Sequence, residues 1–279
     1  MKPTTQTIQD IHLNKRKSNS HKGDYGHALL ITGDIGSMGA SVISGKACLR
    51  SGVGLLSINC PKEERAILQT SIPEAMVVFR EEKKIDFSKY SAIGIGSGMG
   101  VNDESKELIH TVLTQSQKPI LVDADAITLL SQNKELINIL PKNTVITPHP
   151  KEFDRLFGEH ENLEKRIETS LKKAKELQII IVLKGHETYI ISKDEMVKNT
   201  TGNAGLAKGG SGDALTGIIT SFLAQNYEPF IAAKIGVFIH GLSADIALEN
   251  QTMESLLISD VIESLGKAFC KIHKANSLS

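Results

Sequence analysis

The segment Lys208-Gly209-Gly210-Ser211-Gly212-Asp213-Ala214-Leu215 runs a glycine-rich turn directly into an apolar helix on which Ile218 and Phe222 share a face. Such a turn leaves successive backbone N–H groups unpaired at the positive end of a helix dipole, which makes an anion site suited to a phosphate. Asp213, in the first helical turn, stands where it could take a proton from a substrate hydroxyl while the amides stabilise a transferring phosphoryl group. The same residues also suit an ordinary helix cap, with Ser211 or Asp213 satisfying free N–H groups, and the spacing alone fits both readings.

Other segments add chemistry. Gly33-Asp34-Ile35-Gly36-Ser37-Met38-Gly39-Ala40 and Gly94-Ile95-Gly96-Ser97-Gly98-Met99-Gly100 would let a ligand approach the backbone closely, or serve as flexible turns. Thr147-Pro148-His149-Pro150 fixes an imidazole in a rigid loop, for a ligand or for structure. Lys184-Gly185-His186-Glu187-Thr188 suits a nucleotide phosphate or ribose, and equally a hairpin turn. Asp123 and Asp125 could hold a metal-bound water or cap a helix, and Lys22-Gly23-Asp24-Tyr25 could fold over a ligand or lie solvated. Several standard templates fail. There is no GK[ST] for a Walker loop, Met99 stands where G-x-G-x-x-G needs its third glycine, and G-x-S-x-G and H-E-x-x-H are missing. Phosphate chemistry without a Walker loop is what remains.

The elements that must position these residues alternate. After a polar arm to about Asp24, buried strands are expected at His27–Ile31, Leu55–Ile58, Ala92–Ile95, Ile120–Val122, Thr144–Ile146 and Ile179–Leu183. Helical spacing between them, as in Ala40–Leu49, Ser105–Leu113 and Leu163–Leu177, predicts an α/β fold with a mostly parallel sheet covered on both faces. From Asp213 onward only helices are expected, at Ala214–Gln225, Pro229–Glu249 and Ile258–Lys271. Ligands of such sheets bind outside the carboxyl ends of the strands, where the glycines, carboxylates, His149 and Lys184 collect.

Composition sets the bounds. With 279 residues and 40% apolar side chains, a single domain over 1–279 is expected. The 32 basic residues balance 32 acidic ones, which argues against nucleic acid or an anionic membrane as partner and for a small molecule. The apolar stretch around Met38–Ile58 is broken by Lys46, Arg50 and glycines, so it does not read as a membrane span, and the first residues do not read as a secretion signal. Three cysteines without CxxC spacing favour reduced thiols and a cytoplasmic setting.

Taken together, His21–His27, Gly36–Ala40, Asp123–Ala126, Thr147–Glu152, Lys184–His186 and Asn203–Gly217 resemble, in order, the motifs of the NAD(P)H-hydrate dehydratases, a family with the ribokinase-like fold. The resemblance spans nearly the whole chain. It implies an enzyme that uses ADP or ATP, with Mg2+ on the nucleotide phosphates, to dehydrate the S epimer of hydrated NADH or NADPH by phosphorylating the ring hydroxyl and then losing phosphate. It implies Asp213 as base and Gly210, Ser211 and Gly212 as anion hole. It places Ala40, Gly100, His149 and Asp213 around the hydrated nucleotide, and Lys184, Gly185, His186, Glu187, Thr188 and Gly212 around the adenine nucleotide. No side-chain metal ligand is assigned. It also implies a homotetramer and a separately encoded epimerase. Gly33-Asp34 replaces the usual Gly-Ser, Ser97 a common Pro and Ala214 a frequent Val, departures that touch pocket detail. The alternatives are a vitamin-alcohol kinase of the same fold, acting on a thiazole or hydroxymethylpyrimidine, and a non-catalytic nucleotide sensor.

Overall fold

The computed structural model describes residues 1–82 and 84–277. In chain order its elements begin with β1 (Thr4–Thr5), β2 (His27–Ile31), α1 (Met38–Arg50), β3 (Leu55–Cys60), α2 (Arg65–Ser71) and β4 (Met76–Phe79). Next come β5 (Ala92–Ile95), α3 (Asp103–Gln115), β6 (Ile120–Val122), α4 (Ala124–Gln132), α5 (Lys134–Asn138), β7 (Val145–Ile146), α6 (Pro150–Phe157) and α7 (Leu163–Leu177). The chain continues with β8 (Ile180–Leu183), β9 (Tyr189–Ile191), β10 (Met196–Lys198), α8 (Ser211–Ala224), α9 (Pro229–Ala247) and α10 (Ile258–Ser277).

The strands form one sheet in the order β1-β10-β9-β8-β7-β6-β5-β2-β3-β4. Neighbours from β4 to β8 pair in parallel, while β9 is antiparallel to both β8 and β10. Alternate strand residues enter two separate cores. Leu30, Leu56, Ala92, Leu121 and Val182 face α1, α8, α9 and α10, whereas Leu29, Ile31, Ile93, Val122 and Ile181 face α3 to α7. Burial on both faces is why these strands are continuously apolar.

The chain leaves β2 toward β3 and β4, then returns to place β5 on the other side of β2. That reversal opens a crevice outside the carboxyl ends of β2 and β5, where ligands of open α/β sheets bind. Both glycine-rich loops start there, tied together by Gly33 N–H donating to Ser97 O at 2.8 Å and Gly96 N–H to Ile31 O at 3.1 Å. Helix α8 lies across β2, β5 and β6 and brings its amino end to the same edge. It fits because Gly217 has no side chain: a Cβ there would lie 2.0 Å from the Ser44 carbonyl oxygen of α1.

The amino-terminal stretch differs from a solvated arm. Ile11 is fully buried, and β1 pairs with β10. Lys22–Tyr25 forms a 3-10 turn that meets Gly54, just before β3, with Gly54 N–H donating to Tyr25 O. The turn therefore sits at the amino end of the sheet, opposite the crevice, and does not cover a ligand there. Strand β4, at the sheet edge with Met76 exposed, lacks the buried apolar run that marks the central strands. Helix α9 has the length and apolar composition of a membrane span, yet it packs inside between α8 and α10. Among the described residues no strand follows Asp213, as expected.

The α1–α8 contact leads to a prediction. Gly217→Ala should cost about 2–3 kcal/mol through overpacking against Ser44, read as a lower urea midpoint with unchanged slope.

Candidate active site

Gly210 caps α8 with φ +93°, a conformation side chains rarely adopt. No side chain caps the helix, which removes the plain helix-cap reading of Ser211 and Asp213. Among the described residues, the N–H groups of Gly209, Gly210, Gly212 and Asp213 meet no protein acceptor, whereas Ser211 N–H makes a long, 3.4 Å bond to Lys208 O. Four open amides at a helix start form an anion site. The Ser211 amide is drawn back into the turn, so it contributes less to the hole than its position in the motif implies.

Asp213 projects from this turn into a half-buried setting. Burial raises its pKa above the ordinary aspartate value; Ser97 lowers it, Asp123 raises it, Lys184 lowers it and Asp125 raises it. The buried Ser97 hydroxyl faces the carboxylate without completing a hydrogen bond of normal length.

Beneath the turn lies Asp123, 1% exposed. Its Oδ1 accepts from Lys184 Nζ at 2.8 Å and from Thr147 Oγ1 at 2.7 Å, and its Oδ2 accepts from Thr216 Oγ1 at 2.9 Å. Asp123 does not cap α4 with its side chain; its three partners are donors on other parts of the chain. Lys184 is largely buried; burial alone would pull its pKa down, but Asp123, Glu152 and Asp213 more than offset this and leave it above the ordinary lysine value. A Cβ on Gly212 would sit 3.4 Å from both Lys184 Nζ and Asp123 Oδ2, so the ammonium lies directly against the amide turn.

On the other side of the crevice, Asp125 Oδ2 accepts from Gly100 N–H at 2.9 Å. Asp34 Oδ2 would be 3.1 Å from a Cβ on Gly100, and Ala40 Cβ 2.9 Å from one on Gly98. Arg80, buried at the end of β4, donates to Gly33 O at 2.8 Å and to Asn59 Oδ1 at 3.3 Å, with Asp34 Oδ1 3.7 Å from its other nitrogen. It pins the loop after β2.

His149 caps α6. Its Nδ1 accepts from Lys151 N–H and Glu152 N–H, its own N–H donates to Glu152 Oε2, and Nε2 stands 3.5 Å from Glu152 Oε1. The cap commits Nδ1 as an acceptor, so the proton of the neutral ring sits on Nε2, toward Glu152. Burial lowers its pKa, against Glu152. The Lys184–Thr188 segment is the β8–β9 hairpin connection. Gly185 and His186 are exposed at its tip, and Thr188 Oγ1 reaches back to Gly185 O. Glu187 is held by Lys198 and Tyr189.

The structure thus gathers Asp213, Gly212, Lys184, Gly100 and Ala40 around one crevice, with His149 near Lys184 and Glu187 turned to the hairpin face. Sequence reasoning did not single out Thr216, one helical turn beyond Asp213 on α8, or Arg80, whose strand it did not detect.

Known proteins match this chain over most of its length. The profile of the NAD(P)H-hydrate dehydratases matches residues 28–267. The chain belongs to the NAD(P)H-hydrate dehydratase family. The chain is 34% identical to the ADP-dependent (S)-NAD(P)H-hydrate dehydratase of Enterococcus faecalis, over 99% of this chain and 96% of that one. It is 32% identical to the bifunctional NAD(P)H-hydrate repair enzyme of Moorella thermoacetica over 91% of its own length, but spans only 51% of that enzyme. The crystal structure of the Bacillus subtilis ADP/ATP-dependent NAD(P)H-hydrate dehydratase, co-crystallised with ATP/Mg2+, superposes with a TM-score of 0.86 at 32% identity, covering 95% of this chain and 97% of that one. The ribokinase-like fold of the family, with its helical carboxyl-terminal part, is the fold seen here.

The Arg80 bonds set the expected cost of removing them. Arg80→Ala should destabilise the protein by about 2–3 kcal/mol, the range for losing charge-assisted hydrogen bonds to buried acceptors, measured by thermal or urea unfolding.

Proposed function

We propose that this protein removes water from the S epimer of hydrated NADH or NADPH at the expense of ADP or ATP. The open amide turn of α8, with Asp213 and Lys184 beside it, is the observation that carries the reading. The membership of the family and the named dehydratases of similar length favour this reaction over phosphorylation of a vitamin alcohol. A bare sensor would have no use for a half-buried carboxylate beside an anion site.

In this account the hydrated nicotinamide lies along Ala40, Gly100 and His149. The adenine nucleotide lies along Lys184, Gly185, His186 and Thr188, its terminal phosphate on the Gly210–Gly212 turn. Asp213 takes the proton of the ring hydroxyl as its oxygen attacks the terminal phosphorus, and AMP or ADP leaves. The C–O bond to the new phosphate ester then breaks with loss of a ring proton, which releases phosphate and the reduced nicotinamide. Open amides and the Lys184 ammonium stabilise the charge on the transferring group. Glu187, tied to Lys198 and Tyr189, shapes the hairpin.

Magnesium belongs to the proposal only as part of the nucleotide substrate. Magnesium on a nucleotide is commonly held by the phosphates with one or two carboxylates and waters, without a dedicated protein cage. We further propose that residues 1–279 act as one catalytic domain, as a homotetramer in the cytoplasm. Free Cys48, Cys60 and Cys270 suit a reducing compartment.

Two outcomes follow. Asp213→Asn should lower turnover roughly 10²–10⁴-fold while nucleotide binding by calorimetry survives; retained turnover would remove Asp213 as the base. In the wild type, kcat/KM should be lost as pH falls and Asp213 is protonated, with an inflection above the ordinary aspartate range because burial raises that pKa. A rate profile flat through the acid range would contradict this.

A further inference from the structure

Asp123 has no place among the groups that meet substrate, yet at the crevice it accepts three side-chain hydrogen bonds. Three donors from three different parts of the chain converge on it: Thr147 after β7, Lys184 after β8 and Thr216 on α8. Burial keeps it from any ligand. Its neighbour Ala124 has φ +49°, a left-handed conformation uncommon outside glycine. That backbone turn separates the two carboxylates beside it: Asp123 goes to Lys184 on the nucleotide side, and Asp125 goes to the Gly100 amide on the substrate side. Strained backbone of this kind persists where the surroundings over-determine it, often at functional sites.

We infer that Asp123 is a positioning residue for phosphoryl transfer, holding the Lys184 ammonium against the open amide turn of α8 and beside Asp213. This rests on the dehydratase reading given above. A purely architectural ion pair would be a poor use of two buried charges, since apolar side chains of similar volume generally stabilise as well or better. Here the pair lies 3.4 Å from where a Gly212 side chain would begin, at the mouth of an anion site. In the free protein the ammonium is shared with Asp123; an incoming phosphate meets it already extended and aimed.

The charge of the pair also reaches Asp213. The groups facing that carboxylate are Asp123 just before α4, Asp125 in its first turn, Lys184 after β8 and Ser97 after β5. Glu152 of α6, with His149 and the buried His240 of α9, acts on the cluster through Lys184. Asp123 and Lys184 push the proton affinity of Asp213 in opposite directions, and this gives the test.

The acid limb of the kcat/KM profile for hydrated NADH is measured with saturating MgADP in the wild type, Asp123→Asn and Lys184→Met. The expected result is a limb moved to lower pH in Asp123→Asn and to higher pH in Lys184→Met, with kcat of Asp123→Asn down about 10²-fold, the scale of a small misplacement at a reacting centre. Limbs that stay in place, or move in the same direction, overturn the positioning role while leaving the dehydratase reading intact. No turnover by the wild type overturns both. Should Asp123→Asn fail to fold, or a variant turn over too slowly, 13C titration of the Asp213 carboxyl in ligand-free wild type and Lys184→Met reads the same shift. An unmoved titration there counts against the proposal.

Discussion

The buried contact between Asp123 and Lys184 is the interaction on which the rest of the site depends. Taking both charges out of water is costly, and it is tolerated because the carboxylate also accepts from Thr147 and Thr216, so that neither oxygen is left bare. Those bonds join the ends of β6, β7 and β8 to the first turns of α8. Removing one partner would leave an uncompensated buried charge, a loss on the order of 3–5 kcal/mol. The Thr216 bond ties the start of α8, with its open amides, to the end of β6.

The sheet supplies the rest by topology. Reversal of strand order at β2 and β5 opens a crevice at the carboxyl edge, and the loops leaving those strands must be glycine-rich because they cross within hydrogen-bonding distance of each other. Arg80 holds the β2 loop from the far side. In the proposed reading the nucleotide and substrate halves of the site meet at Asp213, whose pKa burial raises while the neighbouring Lys184 ammonium opposes this. That balance suits a base that must accept a proton and later lose it.

Much of this was legible from residue types alone. The central strands are continuous apolar runs because both faces are covered, and their ends carry Asp123, Asp125, Lys184 and the glycine loops in plain sequence order. What stayed hidden was pairwise. The reach of Lys184 across to Asp123 spans 61 positions, and that of Thr216 to Asp123 spans 93, distances no local pattern encodes. Strand β4 and Arg80 escaped because an edge strand with one exposed face lacks the buried signature. The 3-10 turn at Lys22–Tyr25 read either as a loop over a ligand or as a solvated one, because nothing local says which end of the sheet a loop before a strand will join. The amino-terminal segment likewise hid Ile11, a single apolar anchor among polar neighbours.

The most direct test of the central claim, that the α8 turn and Asp213 spend a nucleotide phosphate to expel water, is a stoichiometry. Purified protein is mixed with hydrated NADH and MgADP, and AMP, inorganic phosphate and the absorbance of the reduced nicotinamide are followed together. The account predicts that all three rise in equal amounts, with no phosphate ester left at the end. A stable phosphorylated nucleotide with no recovered absorbance, or recovery without AMP, would contradict it.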